Sequence, residues 1–241
     1  MSNADRRVYA FDREGRELWK RPIQWGVFTA MWPGRSQGKF ALFGGTARPS
    51  IHGYVVVLGA DGAVSGHLSR GDLTCWSIPS NIRDLWQGDI DHDGELEIIT
   101  VVDTNCRQLL CYAADGAVKW DCDLGASGGA LAVDPHSRRV YASSDAGYVT
   151  AVEGLSGRRL WYRWIGEIAE LVWVLPDSSL LAVAQRGAIW RLGPDGEVWN
   201  YHETGTAITA IPRAGNHRGT GRELILGTAA GRVLSQAPGC W

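Results

Sequence analysis

The sequence predicts an all-β fold, a β-propeller of four-stranded antiparallel blades occupying residues 1–241 as a single domain. Three observations carry that prediction. A short hairpin pattern recurs six times. Two further strand-like stretches lie between most successive copies. No segment sustains a 3.6-residue apolar period, so almost no helix is expected.

The hairpin copies are "RRVYAFDREGRELW" from Arg6, "GYVVVLGADGAVSG" from Gly53, "RQLLCYAADGAVKW" from Arg107, "GYVTAVEGLSGRRLW" from Gly147, "GAIWRLGPDGEVW" from Gly187 and "GRVLSQAPGCW" from Gly231. Each is an alternating apolar run, a Gly-containing turn and a second short run, the signature of a β-hairpin. Four copies place a tryptophan just after the turn: Trp19, Trp120, Trp161 and Trp199. Between hairpins, "VFTAMW", "IRDLW", "GALAV", "IAELVW" and "AITAI" read as one strand of each unit. The stretches "KFALFGG", "LEIITVV", "RVYASS", "LLAVAQ" and "ELILGT" read as the next. Each unit therefore has four short strands, A to D in chain order. A sheet this small cannot bury both faces alone, and stacking blade on blade covers them.

The chain opens on strands C and D and ends on A, B and C. If the terminal A and B strands pair with the opening C and D strands, the ring holds five blades and "GRVLSQAPGCW" becomes a tail strand. If they do not, there are six blades. Five is favoured because closure removes unpaired strand edges, and six stays possible. The uneven strand count also fits a piece of a longer chain.

Composition narrows the function classes. Apolar residues make up 45% and charged residues 21%, with 31 glycines and 12 tryptophans, as expected for strands and tight turns. The formal charge of −2 offers no Lys/Arg excess to neutralise phosphates, which argues against nucleic acid as a partner. No apolar run of 18 residues exists, so no membrane insertion is expected. The N-terminus shows no apolar signal region, and the compartment stays open between secreted or periplasmic and cytoplasmic. The five cysteines, Cys75, Cys106, Cys111, Cys122 and Cys240, form no CxxC pair and read as buried thiols.

The hairpin text "VYAFDREGRELW" resembles the repeat of quinoprotein-like (PQQ-type) propellers. These include the outer-membrane assembly lipoprotein family and the pyrroloquinoline-quinone dehydrogenases. The resemblance implies a propeller; nothing matches the dehydrogenases' cofactor residues, so it implies no quinone. The stretch "GDIDHDGELEI", residues 88–98, resembles the calcium loop of FG-GAP propellers, as in integrin α-subunits.

The residues of that loop also point to calcium on their own. The spacing D-x-D-x-D-G-x-x-E lets alternate carboxylates turn inward around a hard cation, with Gly94 making the bend. By that template Asp89, Asp91, Asp93 and Glu97 offer side-chain oxygens and Glu95 its backbone carbonyl to Ca2+, in a structural role. A solvated acidic turn is the alternative. The other A–B connections lack the triple acid.

Propeller ligands usually sit at the channel mouth, on the side of the D–A and B–C loops. Trp25, Trp76 and Trp164 precede A strands there and could stack on a sugar or grip a cation. Trp32, Trp86 and Trp173 end A strands, where other units have Val133 and Ile211, and are expected in the core. One A-strand row reads Thr29, Arg83, Ala130, Glu170 and Ile208; Arg83 and Glu170 would pair as a plug or meet a polar ligand. Arg48 and His52, Asp103 and Asn105, and Ser80 and Asn81 complete this polar surface. No GxSxG, HExxH, Walker A or nucleotide motif occurs. Asp84 and Glu170 are carboxylate candidates by position only. The leading expectation is a calcium-stabilised binding module for a carbohydrate or protein partner. The alternative is a small lyase, hydrolase or cyclase acting at the same mouth.

Overall fold

The computed structural model describes residues 2–3, 7–23, 27–47, 54–69, 81–103, 108–215 and 223–236. The chain forms two compact units, Met1–Ser127 and Gly128–Trp241. Every element among the described residues is a strand.

In the first unit, β1 (Ser2–Asn3), β2 (Arg7–Phe11) and β3 (Glu17–Pro22) make a three-stranded sheet in that order. A four-stranded sheet follows from β4 (Val27–Ser36), β5 (Lys39–Ala47), β6 (Tyr54–Gly59) and β7 (Val64–Ser69). A second comes from β8 (Ile82–Gly88), β9 (Glu97–Val102), β10 (Leu109–Tyr112) and β11 (Val118–Cys122). The second unit holds β12 (Gly128–Asp134), β13 (Arg139–Ser144), β14 (Tyr148–Glu153) and β15 (Arg159–Trp164) as one sheet. A further sheet is β16 (Ala169–Val174), β17 (Leu180–Ala184), β18 (Ala188–Leu192) and β19 (Val198–Glu203). Last come three strands, β20 (Ile208–Gly215), β21 (Glu223–Thr228) and β22 (Val233–Gln236). All pairings are antiparallel between chain neighbours, as the hairpin spacing predicts.

The sequence favours five blades and leaves six possible; the described strands make six sheets, four of four strands and two of three. Strand β21 pairs with β20 on one side and, across a short turn, with β22 on the other, and β2 pairs with β1 and with β3. Local pairing closes a short loop at little entropic cost, so each terminal hairpin completes its own sheet. The stretch expected as a tail strand is therefore β22, the C strand of the last sheet.

Within each unit, the cores lie between consecutive sheets. Ala41, Phe43, Val55 and Val57 of the β4–β7 sheet meet Ile82, Leu85, Ile98 and Leu110 of the β8–β11 sheet. In the second unit Tyr141, Val149 and Ala151 meet Val172, Leu180 and Leu192 in the same way. Trp173, Leu181 and Ile189 then meet Ile208 and Leu226. This stacking explains a burial gradient across each sheet. The B strands β9 and β17 are buried at every position, and β17 has a core on each of its faces. The D strand β19 is exposed at every position. The continuous run "LLAVA" of β17 is thus a doubly covered strand rather than a failure of alternation. Trp32 packs against the first of these cores, 6.5 Å from Trp86 between ring centroids, and Trp173 is buried, as the A-strand equivalence predicts.

The tryptophan after the hairpin turn has a repeated task. Trp19 Nε1 donates to the Ala60 carbonyl of the next hairpin turn at 2.8 Å, and Trp161 Nε1 to the Pro194 carbonyl at 2.8 Å. The arginine two residues on repeats the grip: Arg21 donates to the Asp61 carbonyl and Arg163 to the Gly196 carbonyl. Each indole lies against a glycine of that turn, Gly62 or Gly196. A Cβ there would stand 2.7 Å from the ring, and φ is +76° or +82°. Only glycine tolerates both demands. Sequence repetition here encodes sheet-to-sheet attachment.

Candidate functional site

The acidic loop joins β8 to β9, the A–B position that the sequence predicts. Gly94 takes φ 91° and His92 φ 65°, so the chain bends where the calcium-loop template requires it. The inward turn is built from backbone N–H groups. Asp89 Oδ1 accepts from Asp93 N at 3.2 Å and Asp89 Oδ2 from Gly94 N at 3.1 Å. Asp93 Oδ1 accepts from Glu95 N at 2.8 Å. Carboxyl oxygens of Asp89, Asp91 and Glu97 come within 4.8 Å of one another. Asp93 stays half exposed, and the Glu95 side chain faces solvent. Of the five residues in the template, three converge through their side chains.

Sequence reading missed the fourth party. Lys119 on β11 places Nζ 2.5 Å from Asp91 Oδ2, 3.0 Å from Glu97 Oε1 and 3.8 Å from Asp93 Oδ2. The lysine hydrogen bond holds the Asp91 carboxyl below the usual aspartate range, and the two carboxylates push the Lys119 ammonium up. Glu97 is 1% exposed and also accepts from Ile90 N, so its charge is buried but paired. A signal for this existed in the repeat. The residue before the hairpin tryptophan is Leu18, Leu160 and Val198 in three copies and Lys119 in the fourth. The one charged exception belongs to the sheet that carries the acidic loop.

On the D–A and B–C side, the structure joins two predicted residues. Asn81 donates its backbone N–H to Asp103 Oδ1 and its Nδ2 to Asp103 Oδ2 at 2.8 Å; Asp103 N returns a bond to the Asn81 carbonyl. The pair clips the start of β8 to the end of β9. Arg83 is exposed and Glu170 half-buried, and each occupies a β-bulge. Thr29 sits at the same bulge of β4 and donates its hydroxyl to the Ile82 carbonyl of the next sheet. A bulge inserts one residue and re-aims its side chain, so the predicted row is a row of bulges. In β20 the register shift falls after Ile208, so Thr209 rather than Ile208 completes the row. Trp164 is 63% exposed at the end of β15. Trp25, Arg48, His52, Trp76, Ser80 and Asn105 lie outside the described residues.

The second unit adds a cavity that the sequence did not announce. It measures about 550 Å³ and lies between the D–A loop of one sheet (Gly166, Glu167) and the next sheet's Arg186, Trp190, Tyr201 and Glu203. Its residues come from segments up to about 40 positions apart, and no local pattern marks them as neighbours.

Repeated four-stranded antiparallel sheets that bury their cores against the next sheet define a β-propeller. Solved propellers agree with that class. The structure of BBS1N in complex with ARL6DN superposes with a TM-score of 0.74 at 14% identity, over 98% of this chain and 72% of that one. Saccharomyces cerevisiae Sqt1 gives 0.73 at 11%, over 98% and 68%. BamB from Moraxella catarrhalis gives 0.63 at 17%, over 97% and 67%. Residues 4–238 match the family described as outer membrane protein assembly factor BamB, with PQQ-type repeats, and the chain belongs to that family. A search among curated proteins finds no significant match. No helix among the described residues is long and apolar enough to cross a membrane.

Proposed function

We propose that this propeller is a binding module for a protein partner, engaged on the side of the D–A and B–C loops and the adjoining outer strands. The observation that carries it is the exposure of large aromatic side chains there. Tyr162 is 60%, Trp164 63%, Trp199 48% and Tyr201 43% exposed on β15 and β19. Exposed tryptophan and tyrosine are costly in water and are the residues that anchor protein interfaces. The propeller relative BBS1N, solved in complex with ARL6DN, supports the same reading.

Calcium belongs to this proposal as a structural ion. Asp89, Asp91 and Glu97 would supply side-chain oxygens, Asp93 would rotate in, and Glu95 would lend its carbonyl. The ion would take over the charge balance that Lys119 now provides. It would pin the β8–β9 connection and take no part in a reaction.

The test is capture of partners by the parent protein and by a Tyr162→Ser/Trp164→Ser variant, beside a glycan array. A protein retained by the parent and lost by the variant, at an unchanged melting temperature, supports the module. Glycan binding without protein capture would move the reading to the carbohydrate partner that the aromatic faces also suit. Turnover of an array compound would favour the enzyme alternative.

A further inference from the structure

We propose that the cavity of the second unit seats the guanidinium of an arginine side chain from the partner protein. The inference rests on the binding-module reading and names the chemistry of its occupant.

The walls combine an aromatic pair with two carboxylates. Trp190 and Tyr201 stand 4.4 Å apart between ring centroids, tilted by 49°. Glu203 on β19 accepts from the Tyr201 hydroxyl. Glu167, in the loop before β16, accepts from the Arg186 backbone N–H at 3.1 Å. These bonds orient both carboxylates without neutralising either. The chain's own cation at the cavity, Arg186, keeps its guanidinium 3.9 Å from Glu167 with 89% of its side chain exposed, a loose contact worth little in water. Negative charge therefore exceeds what the cavity's own residues balance.

A cation is the complementary ligand, and the geometry selects its type. Glu167 and Glu203 belong to no cluster of three convergent ligand groups; among the described residues the acidic loop holds the only one. A metal ion is disfavoured on that ground. A guanidinium is planar, weakly hydrated, stacks on aromatic rings and meets carboxylates in a fork, whereas an ammonium is a compact and strongly hydrated point charge. The volume of about 550 Å³ exceeds one guanidinium and leaves room for the flanking peptide.

The indole signals of the 12 tryptophans make the test direct. Nitrogen-15-labelled protein is titrated with N-acetyl-arginine methylamide, N-acetyl-lysine methylamide and N-acetyl-norleucine methylamide. The Trp190 signal is assigned by a Trp190→Phe variant. A saturable shift of that signal with the arginine probe alone is expected. Glu203→Gln, which keeps an acceptor for Tyr201, should weaken binding about tenfold, the loss of one charge-assisted contact. The remaining indole signals of the variant report that it is folded. No Trp190 shift up to roughly 50 mM probe, a range set by millimolar fragment affinity, overturns the inference. So does an equal response to lysine or norleucine. Capture by the outer-strand aromatics is read separately, so a null titration removes the arginine seat and leaves the binding module standing.

Discussion

Replacing Lys119 with methionine keeps the aliphatic stem and removes the only cation within 4 Å of the acidic loop among the described residues. Three carboxylates would then face one another, one of them buried. A pair of unit charges 4 Å apart is worth about 4 kcal/mol at the effective dielectric of a protein surface. Desolvation of the lysine, 28% exposed here, offsets part of that. Breaking a buried pair by removing one partner costs about 3 to 5 kcal/mol. The lower end applies, because Asp93 is half exposed and water reaches the loop. A loss of about 3 kcal/mol corresponds to a fall in melting temperature of roughly 6 to 12 °C for a chain of this size. The assay is thermal unfolding followed by circular dichroism in excess chelator. Calcium then enters by mass action: at a hundred times its dissociation constant an ion bound only to the folded state restores about 2.7 kcal/mol. Lys119→Met should therefore regain nearly all of its lost stability in calcium, and gain more than the parent, whose lysine competes. A variant that melts within about 2 °C of the parent in chelator would show that the lysine holds nothing. A variant that falls as expected and ignores calcium would remove the ion from the proposed function.

Other perturbations probe the rest of the molecule. Trp161→Phe keeps an aromatic ring but removes the indole hydrogen bond to the Pro194 carbonyl, which then accepts from Arg139 Nη1 alone, and should cost about 1 kcal/mol in urea unfolding. Gly196→Ala should cost about 2 kcal/mol, because a side chain at φ +82° meets the Trp161 ring at 2.7 Å. Asp177 is held below the ordinary aspartate range by the Ser179 hydroxyl and by Arg191. A depressed carboxyl contributes stability above its unfolded value and loses it as pH falls through the folded one. Asp177→Asn should therefore lie below the parent in stability at neutral pH and converge with it below about pH 4, in melting curves from pH 7 to 2. Cys111 is buried, and burial pushes its thiol up to about 12. It should resist alkylation at pH 8 in the folded protein and react once urea exposes it, as mass spectrometry of the labelled peptide will show.

Much of the architecture was legible because strand formation is local. Alternation in "RVYAF", the turn at "DREG" and the hairpin tryptophan sit within a dozen residues, and hydrogen bonding between chain neighbours needs nothing further. The same holds for the acidic loop: three aspartates and a glycine in six residues define a turn with inward carboxylates wherever the chain goes. Tertiary structure decided what depends on register and stacking. The bulges that lift Arg83 and Glu170 out of the A strands arise from how β8 and β16 slide against β9 and β17. Lys119 reaches Asp91 across 28 positions because β11 lies in the same sheet as the loop. Glu167 and Glu203 share a cavity only because one sheet packs on the next. A local pattern sets a segment's conformation, whereas the meeting of distant side chains follows from the packing free energy of whole sheets, which no short stretch carries by itself.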